Sequence, residues 1–311
     1  MKRLELAMQL TQSDTFYLHR STLGCILKCW GNIMKLEADT SLLEGEILVP
    51  PLKWAGGKRW FVENHRKLLP EKYERYIEPF VGSGALFFSL KPNQAILSDT
   101  NKELICFYEQ LRASPIELFN KLKAHHRKHS KEYYYKIRSS KPTSALGQAA
   151  RFIYLNRTCW NGLYRVNLKG EFNVPIGTKT SAILDTDNFT LASELLKRAK
   201  LYTSDFEAII DKARKNDFIF VDPPYTVKHN KNGFIKYNQH LFSWDDQIRL
   251  SKSLIRAAER GAKVLLLNAN HTSVRNLYSS YGRRVTLERS SVLAANSQRR
   301  GSTEELAVQI W

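Results

Sequence analysis

The sequence predicts a doubly wound α/β fold: a Rossmann-like, mostly parallel sheet with an antiparallel C-terminal strand and an inserted, mostly helical module. Apolar strands alternate with amphipathic helices on either side of a basic stretch, and two strand-like segments close the chain. We expect a sheet domain over residues 49–112 and 196–311 and an inserted domain over 113–195. An N-terminal extension, 1–48, receives no functional assignment.

Two strands that end at polar turns predict the first half of the sheet. RYIEPF, residues 75–80, is a short strand that runs into the glycine-rich turn VGSG and the helical segment ALFFSL. AILSD, residues 95–99, ends on an acid, and the amphipathic helix NKELICFYEQLR follows it. Both segments are strand–turn–helix units, which build parallel sheets and collect ligands at the carboxyl ends of their strands.

The second half is predicted from a resumed alternation. A helix near 245–260 separates the last two parallel strands, and the expected strands are KLYTSDF (200–206), FIFVD (218–222) and KVLLLNAN (263–270). RRVTLER and ELAVQIW then have the spacing of a closing antiparallel pair.

Charge points to a polyanionic partner. Lys and Arg number 48 against 30 Asp and Glu, for a formal net charge of +18 over 311 residues. Nucleic acid is the first candidate and an anionic membrane surface the alternative. Without a long apolar run or a secretory signal, we expect a cytoplasmic monomer with no membrane association. Four scattered cysteines predict reduced thiols and no metal.

FIFVDPPYTV, residues 218–227, carries the chemistry. Pro223 and Pro224 cannot donate to a sheet and fix their own φ angles, so the chain beyond Asp222 is stiff and presents carbonyls. A planar ring bearing an exocyclic amine could stack on Tyr225 while Asp222 and the Pro223 carbonyl accept its N–H groups. Such acceptors make the amine lone pair available for attack on a methylsulfonium, without a metal or covalent intermediate. The alternative is a proline turn that merely ends a strand.

Two further strand ends predict a nucleotide-like ligand. Gly82 and Gly84 allow close backbone approach, although a G-x-G alone can be only a tight turn. Asp99 could accept both hydroxyls of a ribose or instead cap the following helix. These features alone would fit a nicotinamide dehydrogenase, but such an enzyme leaves both the proline-rich motif and the basic insert unexplained.

Five motifs, in order, resemble one family. PLKWAGGKRW, EPFVGSGALFF, LSDTNKELI, NRTCWNGLYRVNLKGEFNVPIG and VDPPY resemble the Dam-type, D12-class (alpha group) DNA adenine-N6 methyltransferases over about residues 50–311. The resemblance implies a methyltransferase sheet, S-adenosylmethionine as cofactor with S-adenosylhomocysteine as product, and double-stranded DNA as partner. It further implies methylation of N6 on a flipped-out adenine, at GATC or a related GAT-containing site.

The resemblance also implies site residues. Asp222 touches cofactor and target, and the cofactor set is Trp54, Lys58, Phe80, Gly82, Gly84, Asp99, Asp205, Phe206 and Asp222. Without the family pattern, Trp54 could be plain core and Lys58 a helix-terminus charge. Asp205 could equally be a helix N-cap.

DNA recognition is assigned to the insert. A basic run suits phosphate contact or is only a solvated face, and its members are Lys121, Lys123, Arg127, Lys128, Lys131, Lys136, Arg138 and Lys141. By resemblance Arg165 reads guanine, Leu163 and Pro175 meet bases, and Trp160 with Asn161 fills the space of the displaced base. The DNA-contact set is completed by Arg138, Asn156, Arg157 and Asn167. The loop after Tyr225, Arg299 and Arg300 are further candidates.

Two alternatives stay open at this point. One is a catalytically silent homologue that only binds DNA, against which the intact residues 222–225 argue. The other is a methyltransferase acting on cytosine N4, RNA or a protein glutamine. Those enzymes usually carry serine or asparagine where this chain has Asp222.

Overall fold

A computed structural model describes residues 48–167, 169–226, 242–290 and 302–311. The predicted extension up to residue 47, the loop 227–241, Arg299 and Arg300 lie outside the described residues.

One seven-stranded sheet organises the described chain, in the order β3-β2-β1-β4-β5-β7-β6. Its strands are β1 (Tyr76–Glu78), β2 (Ala95–Asp99), β3 (Ala199–Thr203), β4 (Phe218–Val221), β5 (Lys263–Ala269), β6 (Arg283–Ser290) and β7 (Ser302–Ile310). The first five strands run parallel to one another, whereas β7 is antiparallel to both β5 and β6. The predicted fold class is confirmed, including the closing antiparallel pair.

Ten α-helices connect the strands in the described ranges. They are α1 (Arg59–Asn64), α2 (Ala85–Leu90), α3 (Lys102–Ala113), α4 (Pro115–Arg127), α5 (Lys131–Ser139), α6 (Ala145–Thr158), α7 (Phe189–Lys197), α8 (Phe206–Ile210), α9 (Trp244–Glu259) and α10 (Thr272–Leu277). Short 3₁₀ turns lie at Arg66–Leu68 and Trp160–Gly162. No helix in the part of the chain that the structure describes is long and apolar enough to cross a membrane.

The central strands explain where a ligand can bind. β1 and β4 are buried at every residue, as expected for parallel strands covered on both faces. The chain winds from β1 outward through β2 to β3, then returns to β4 on the other side of β1. This reversal between β1 and β4 leaves a crevice at their carboxyl ends, which is the usual ligand site of such sheets.

The segment between β2 and β3 contains the predicted insert. Helices α4, α5 and α6 follow α3, and α3 also packs against α7. The predicted boundary at residue 195 falls inside α7, Phe189–Lys197. A module boundary belongs in a connecting segment rather than within a helix. We therefore propose that the inserted domain ends before Phe189.

Candidate active site and recognition segment

Three predicted site segments meet at the ends of β2, β1 and β4, which are neighbours in the sheet. Asp99 is the last residue of β2, the glycine turn follows β1, and Asp222 follows β4 directly. The Gly82 N–H donates to Asp99 Oδ2 at 3.2 Å, which joins the first two segments. The sheet thus brings together residues that are more than a hundred positions apart in sequence.

The glycine turn needs its glycines for space and for backbone angle. Gly82 and Gly84 have φ of 47° and 64°, in the left-handed region. A Cβ on Gly82 would lie 2.8 Å from Trp54 Cδ1, so a side chain there would collide with the indole. The Tyr108 hydroxyl donates to the Gly82 carbonyl at 2.7 Å. Trp54 itself is half-buried and stacks on Tyr164, so it is not plain core.

Asp99 is held by backbone N–H groups. It accepts from Gly82 and from Asn101, the latter at 3.0 Å. The cap of α3 is Asn101, whose side chain accepts from Glu103 and Leu104, so the alternative of Asp99 as helix N-cap is wrong. Burial raises the pKa of Asp99 above its ordinary value, while the backbone N–H bonds oppose that rise.

Lys58 forms the centre of the charged cluster. Its ammonium lies 2.8 Å from Asp222 Oδ1 and 3.6 Å from Glu305 Oε2, and it donates to the Gly56 carbonyl at 2.8 Å. The same ammonium lies 5.4 Å from the centre of the Tyr225 ring. Lys58 is the N-cap residue of α1, so its charge does lie at a helix terminus; a positive charge is unfavourable there, and the two carboxylates compensate it.

Glu78, at the end of β1, is a site residue that the sequence did not single out. It is buried, and the Tyr76 hydroxyl donates to it at 2.8 Å. Burial raises the pKa of Glu78 well above its ordinary value; the Tyr76 bond opposes this, and the charges of Asp222 and Asp99 add to it. A glutamate in an otherwise apolar central strand was the signal that could have revealed it.

A family model described as D12 class N6 adenine-specific DNA methyltransferase matches residues 54–292. The chain belongs to this family. The Type II methyltransferase M1.LlaDCHI of Lactococcus lactis subsp. cremoris is 38% identical over 270 residues, covering 84% of this chain and 95% of its own. The DNA adenine methylase of Vibrio cholerae is 32% identical over 260 residues, covering 82% and 93%. The DNA N-6-adenine-methyltransferase of Escherichia phage P1 is 37% identical over 237 residues, covering 75% of this chain and 31% of its own.

Beside the glycine turn, the methyltransferase has an aromatic cluster. Phe80 stacks on Phe206 at 5.4 Å and meets Phe242 edge-on at 5.6 Å. Asp205 caps α8 by accepting from the Glu207 N–H, and its carboxylate is also bound by Arg249. The N-cap alternative for Asp205 is therefore confirmed. The contact of Asp205 and the buried Phe206 with a cofactor stays a prediction.

The chain leaving the catalytic motif is fixed by three buried polar side chains. Gln247 donates to the Thr226 hydroxyl at 3.3 Å, and Asn268 donates to Gln247 Oε1 at 3.1 Å. Asn268 Oδ1 accepts from the Ala269 N–H at 2.8 Å. Because buried polar groups are costly unless they are bonded, these hydrogen bonds hold the Thr226 side chain in the interior.

The recognition segment, residues 159–176, follows α6 and is closed by bridges between Cys159 and Ile176 and between Val166 and Phe172. At the start of the segment, Trp160 is 50% exposed, and the backbone N–H of Trp160 donates to the Pro175 carbonyl at 3.0 Å. The segment therefore displays an aromatic side chain on a backbone that is internally bonded.

The remaining predicted DNA contacts of this segment differ in exposure. Asn161 is exposed and has a φ of 55°, which asparagine tolerates better than most residues. Leu163 is half-buried, whereas Asn167 and Pro175 are exposed. Arg165 is exposed, and its Nε donates to Asn173 Oδ1 at 2.9 Å. These five side chains stay predicted DNA contacts.

Two predicted DNA contacts are contradicted by burial. Arg157 is 1% exposed and makes five hydrogen bonds, to Pro51, Ala182 and Asp187. Asn156 is 2% exposed and exchanges hydrogen bonds with the backbone of Lys53, at 2.9 and 2.7 Å. Both side chains hold α6 to the segment before Trp54, and their interior positions keep them from reaching DNA.

Arg138 is an intermediate case. It is half-buried, its Nη1 donates to the Val174 carbonyl at 3.3 Å, and its guanidinium lies 4.7 Å from the Tyr135 ring centre. The other seven members of the predicted basic run are exposed. Phosphate contact by this run stays a prediction.

Proposed function

We propose that this methyltransferase transfers a methyl group from S-adenosylmethionine to N6 of an adenine displaced from double-stranded DNA, at GATC or a related GAT-containing site. The observation that carries the proposal is the placement of Asp222 beside Lys58, 2.8 Å apart, in the crevice that also holds the glycine turn and Asp99. Family membership supports adenine in DNA as the target.

The charges around the crevice fit a cationic cofactor. Asp99, Asp222 and Glu305 contribute three carboxylates, and Lys58 contributes an ammonium between two of them. A sulfonium and an amino group are favoured by such a surplus of negative charge. Asp99 would accept ribose hydroxyls, and the backbone at Gly82 would lie against the ligand. The bound S-adenosylmethionine would supply an electrophilic methyl group.

The protein's own part in the chemistry is to hold an amine. The Asp222 carboxylate and the Pro223 carbonyl accept the two N6 hydrogens, and Tyr225 stacks on the purine. A carboxylate has about four lone-pair sites, so Asp222 can accept from Lys58 and from the amine together. Holding both hydrogens draws the nitrogen lone pair out of the ring system and directs it toward the methyl group. One amine proton then leaves to solvent.

Reaching the adenine requires its removal from the stack, at a cost of a few kcal/mol. The half-exposed Trp160 is suited to fill the space that the base leaves. Arg165, exposed and oriented by Asn173, is suited to a bidentate contact with guanine. The exposed lysines and arginines of α4 and α5 would bind phosphates. We propose that the enzyme is a monomer, either bacterial and nucleoid-associated or phage-encoded, that acts on DNA in the cytoplasm.

The test is expression in cells that lack DNA methylation, followed by mapping of N6-methyladenine across the genome by single-molecule sequencing. We expect methylation at one GAT-containing sequence, and none when Asp222→Ala is expressed at the same level. Purified Asp222→Ala should still bind duplex DNA. Methylation of cytosine instead, or equal methylation by the variant, would overturn the proposal.

A further inference from the structure

Glu305 is a buried carboxylate behind the active site. On β7 it pairs with Ala269 of β5 and with Leu287 of β6, so it lies in the interior of the sheet and is 3% exposed. Its Oε2 is 3.6 Å from the Lys58 ammonium. The next residue back, Glu304, points the other way, is exposed, and accepts from Asn270 at 2.6 Å.

The ammonium of Lys58 is therefore shared by two carboxylates. Lys58 is 4% exposed, and a charge so buried is costly unless opposite charges compensate it. Asp222 Oδ1 lies 2.8 Å from the ammonium and Glu305 Oε2 lies 3.6 Å from it. Two negative charges against one positive leave a surplus of negative charge in the cluster, at the position where an amine would be held.

We propose that Glu305 is a positioning residue for methyl transfer, one that acts through Lys58 to keep Asp222 a strong acceptor. The proposal rests on the proposed function, because it assigns Asp222 the task of holding the adenine amine. Glu305, at 3.6 Å, takes part of the charge interaction of the Lys58 ammonium and helps to fix its position. Without this second carboxylate, Lys58 would donate fully to Asp222 and compete with the amine for it.

The substitution that tests this is Glu305→Gln, which removes the charge at nearly constant volume. Its matched control is Glu304→Gln, the same change on the same strand at an exposed position. We expect the single-turnover methylation rate of Glu305→Gln to fall about 10-fold, less than the roughly 10²–10⁴-fold that a positioned proton-transfer group contributes, because Glu305 acts only through Lys58. The dissociation constant for duplex DNA should stay within about twofold of wild type, because Glu305 is buried and does not itself face DNA.

Two further variants separate positioning from a merely structural role. Glu305→Asp keeps the charge and should recover more of the rate than Glu305→Gln, even if both variants lose stability. In a Lys58→Met background, Glu305→Gln should cause no further loss of rate, because the group through which Glu305 acts is gone. Multiplicative losses in the double variant, or a Glu305→Gln rate equal to wild type, would overturn the inference. An inactive wild type would instead overturn the proposed function.

Discussion

Trp160 has 50% of its surface exposed, whereas Lys58 has 4% and Glu305 has 3%. The strand-end site is assembled from residues far apart in sequence, and the buried ammonium of Lys58 at its centre is compensated by two carboxylates. The recognition segment is local in sequence and displays exposed side chains, which we propose to bind DNA. The contrast teaches that the strand-end geometry is set by folding alone, whereas the proposed recognition surface needs DNA to complete it.

The substitution Arg157→Ala has the largest expected effect on stability. It tests whether Arg157 belongs to the folded interior rather than to the surface proposed to bind DNA. Arg157→Ala would leave Asp187 buried and without its guanidinium, and it should lower the free energy of unfolding by about 3–5 kcal/mol. Urea unfolding measures this. The control is Arg165→Ala, an exposed arginine of the recognition segment, for which unfolding should be nearly unchanged. A loss below about 1 kcal/mol for Arg157→Ala would contradict the assigned structural role.

The substitution Gln247→Leu tests whether the proposed catalytic motif, residues 222–225, depends on the buried hydrogen bonds among Thr226, Gln247 and Asn268. Gln247→Leu would strand polar groups of Thr226 and Asn268 in the interior, and it should cost about 1–3 kcal/mol of stability. We also expect a slower single-turnover rate, because Thr226 directly follows Tyr225. Thr226→Ser keeps the hydroxyl and is the milder comparison. If the rate stayed at the wild-type value in Gln247→Leu, the buried chain would have no role in catalysis.

Arg165 tests the recognition segment itself. Arg165→Ala should relax discrimination at one base pair by about 1–3 kcal/mol, measured as methylation rates on duplexes with single-base changes. Lys136→Ala, an exposed basic residue of α5, is the control, and it should weaken binding to all sequences about equally. Uniform weakening by Arg165→Ala would make Arg165 a phosphate contact instead.

The substitution Glu78→Gln has the smallest expected effect on stability, and that effect depends on pH. Because its pKa is raised in the folded state, the folded protein keeps a proton that the unfolded chain releases above its ordinary pKa of 4.5. The stabilisation that Glu78 contributes is present at low pH. It falls as pH rises from the pKa of Glu78 in the unfolded chain to its higher pKa in the folded protein. Glu78→Gln removes that loss, so its stability relative to wild type should be greater at about pH 8 than at about pH 5. Urea midpoints that differ by the same amount at both values would contradict this.

Local motifs explain what could be predicted from the sequence. Gly82, Gly84, Asp99 and the motif from Asp222 to Tyr225 were placed at strand ends because each follows an apolar strand directly. A parallel sheet necessarily brings such ends together. The recognition segment is predicted in a different way, from the resemblance of one contiguous stretch to the family's motif.

Long-range pairing explains what could not be predicted. Glu305 reaches Lys58 only because β7 inserts between β5 and β6, and nothing near Glu305 in sequence announces that position. The resemblance places Arg157 and Asn156 among the DNA contacts, but the partners that bury them are distant in sequence. Asp187 lies 30 residues from Arg157, and Lys53 lies 103 residues from Asn156.

The joint between α6 and the segment before Trp54 has a consequence for fidelity. Asn156 and Arg157 bond Lys53 and Pro51, and Tyr164 of the recognition segment stacks on Trp54 with ring centres 5.9 Å apart. A strained docking on an incorrect DNA sequence would therefore be transmitted to the residues proposed to grip the methyl donor. The enzyme would then bind incorrect DNA sequences but methylate them slowly, so methylation would be more specific for sequence than binding is.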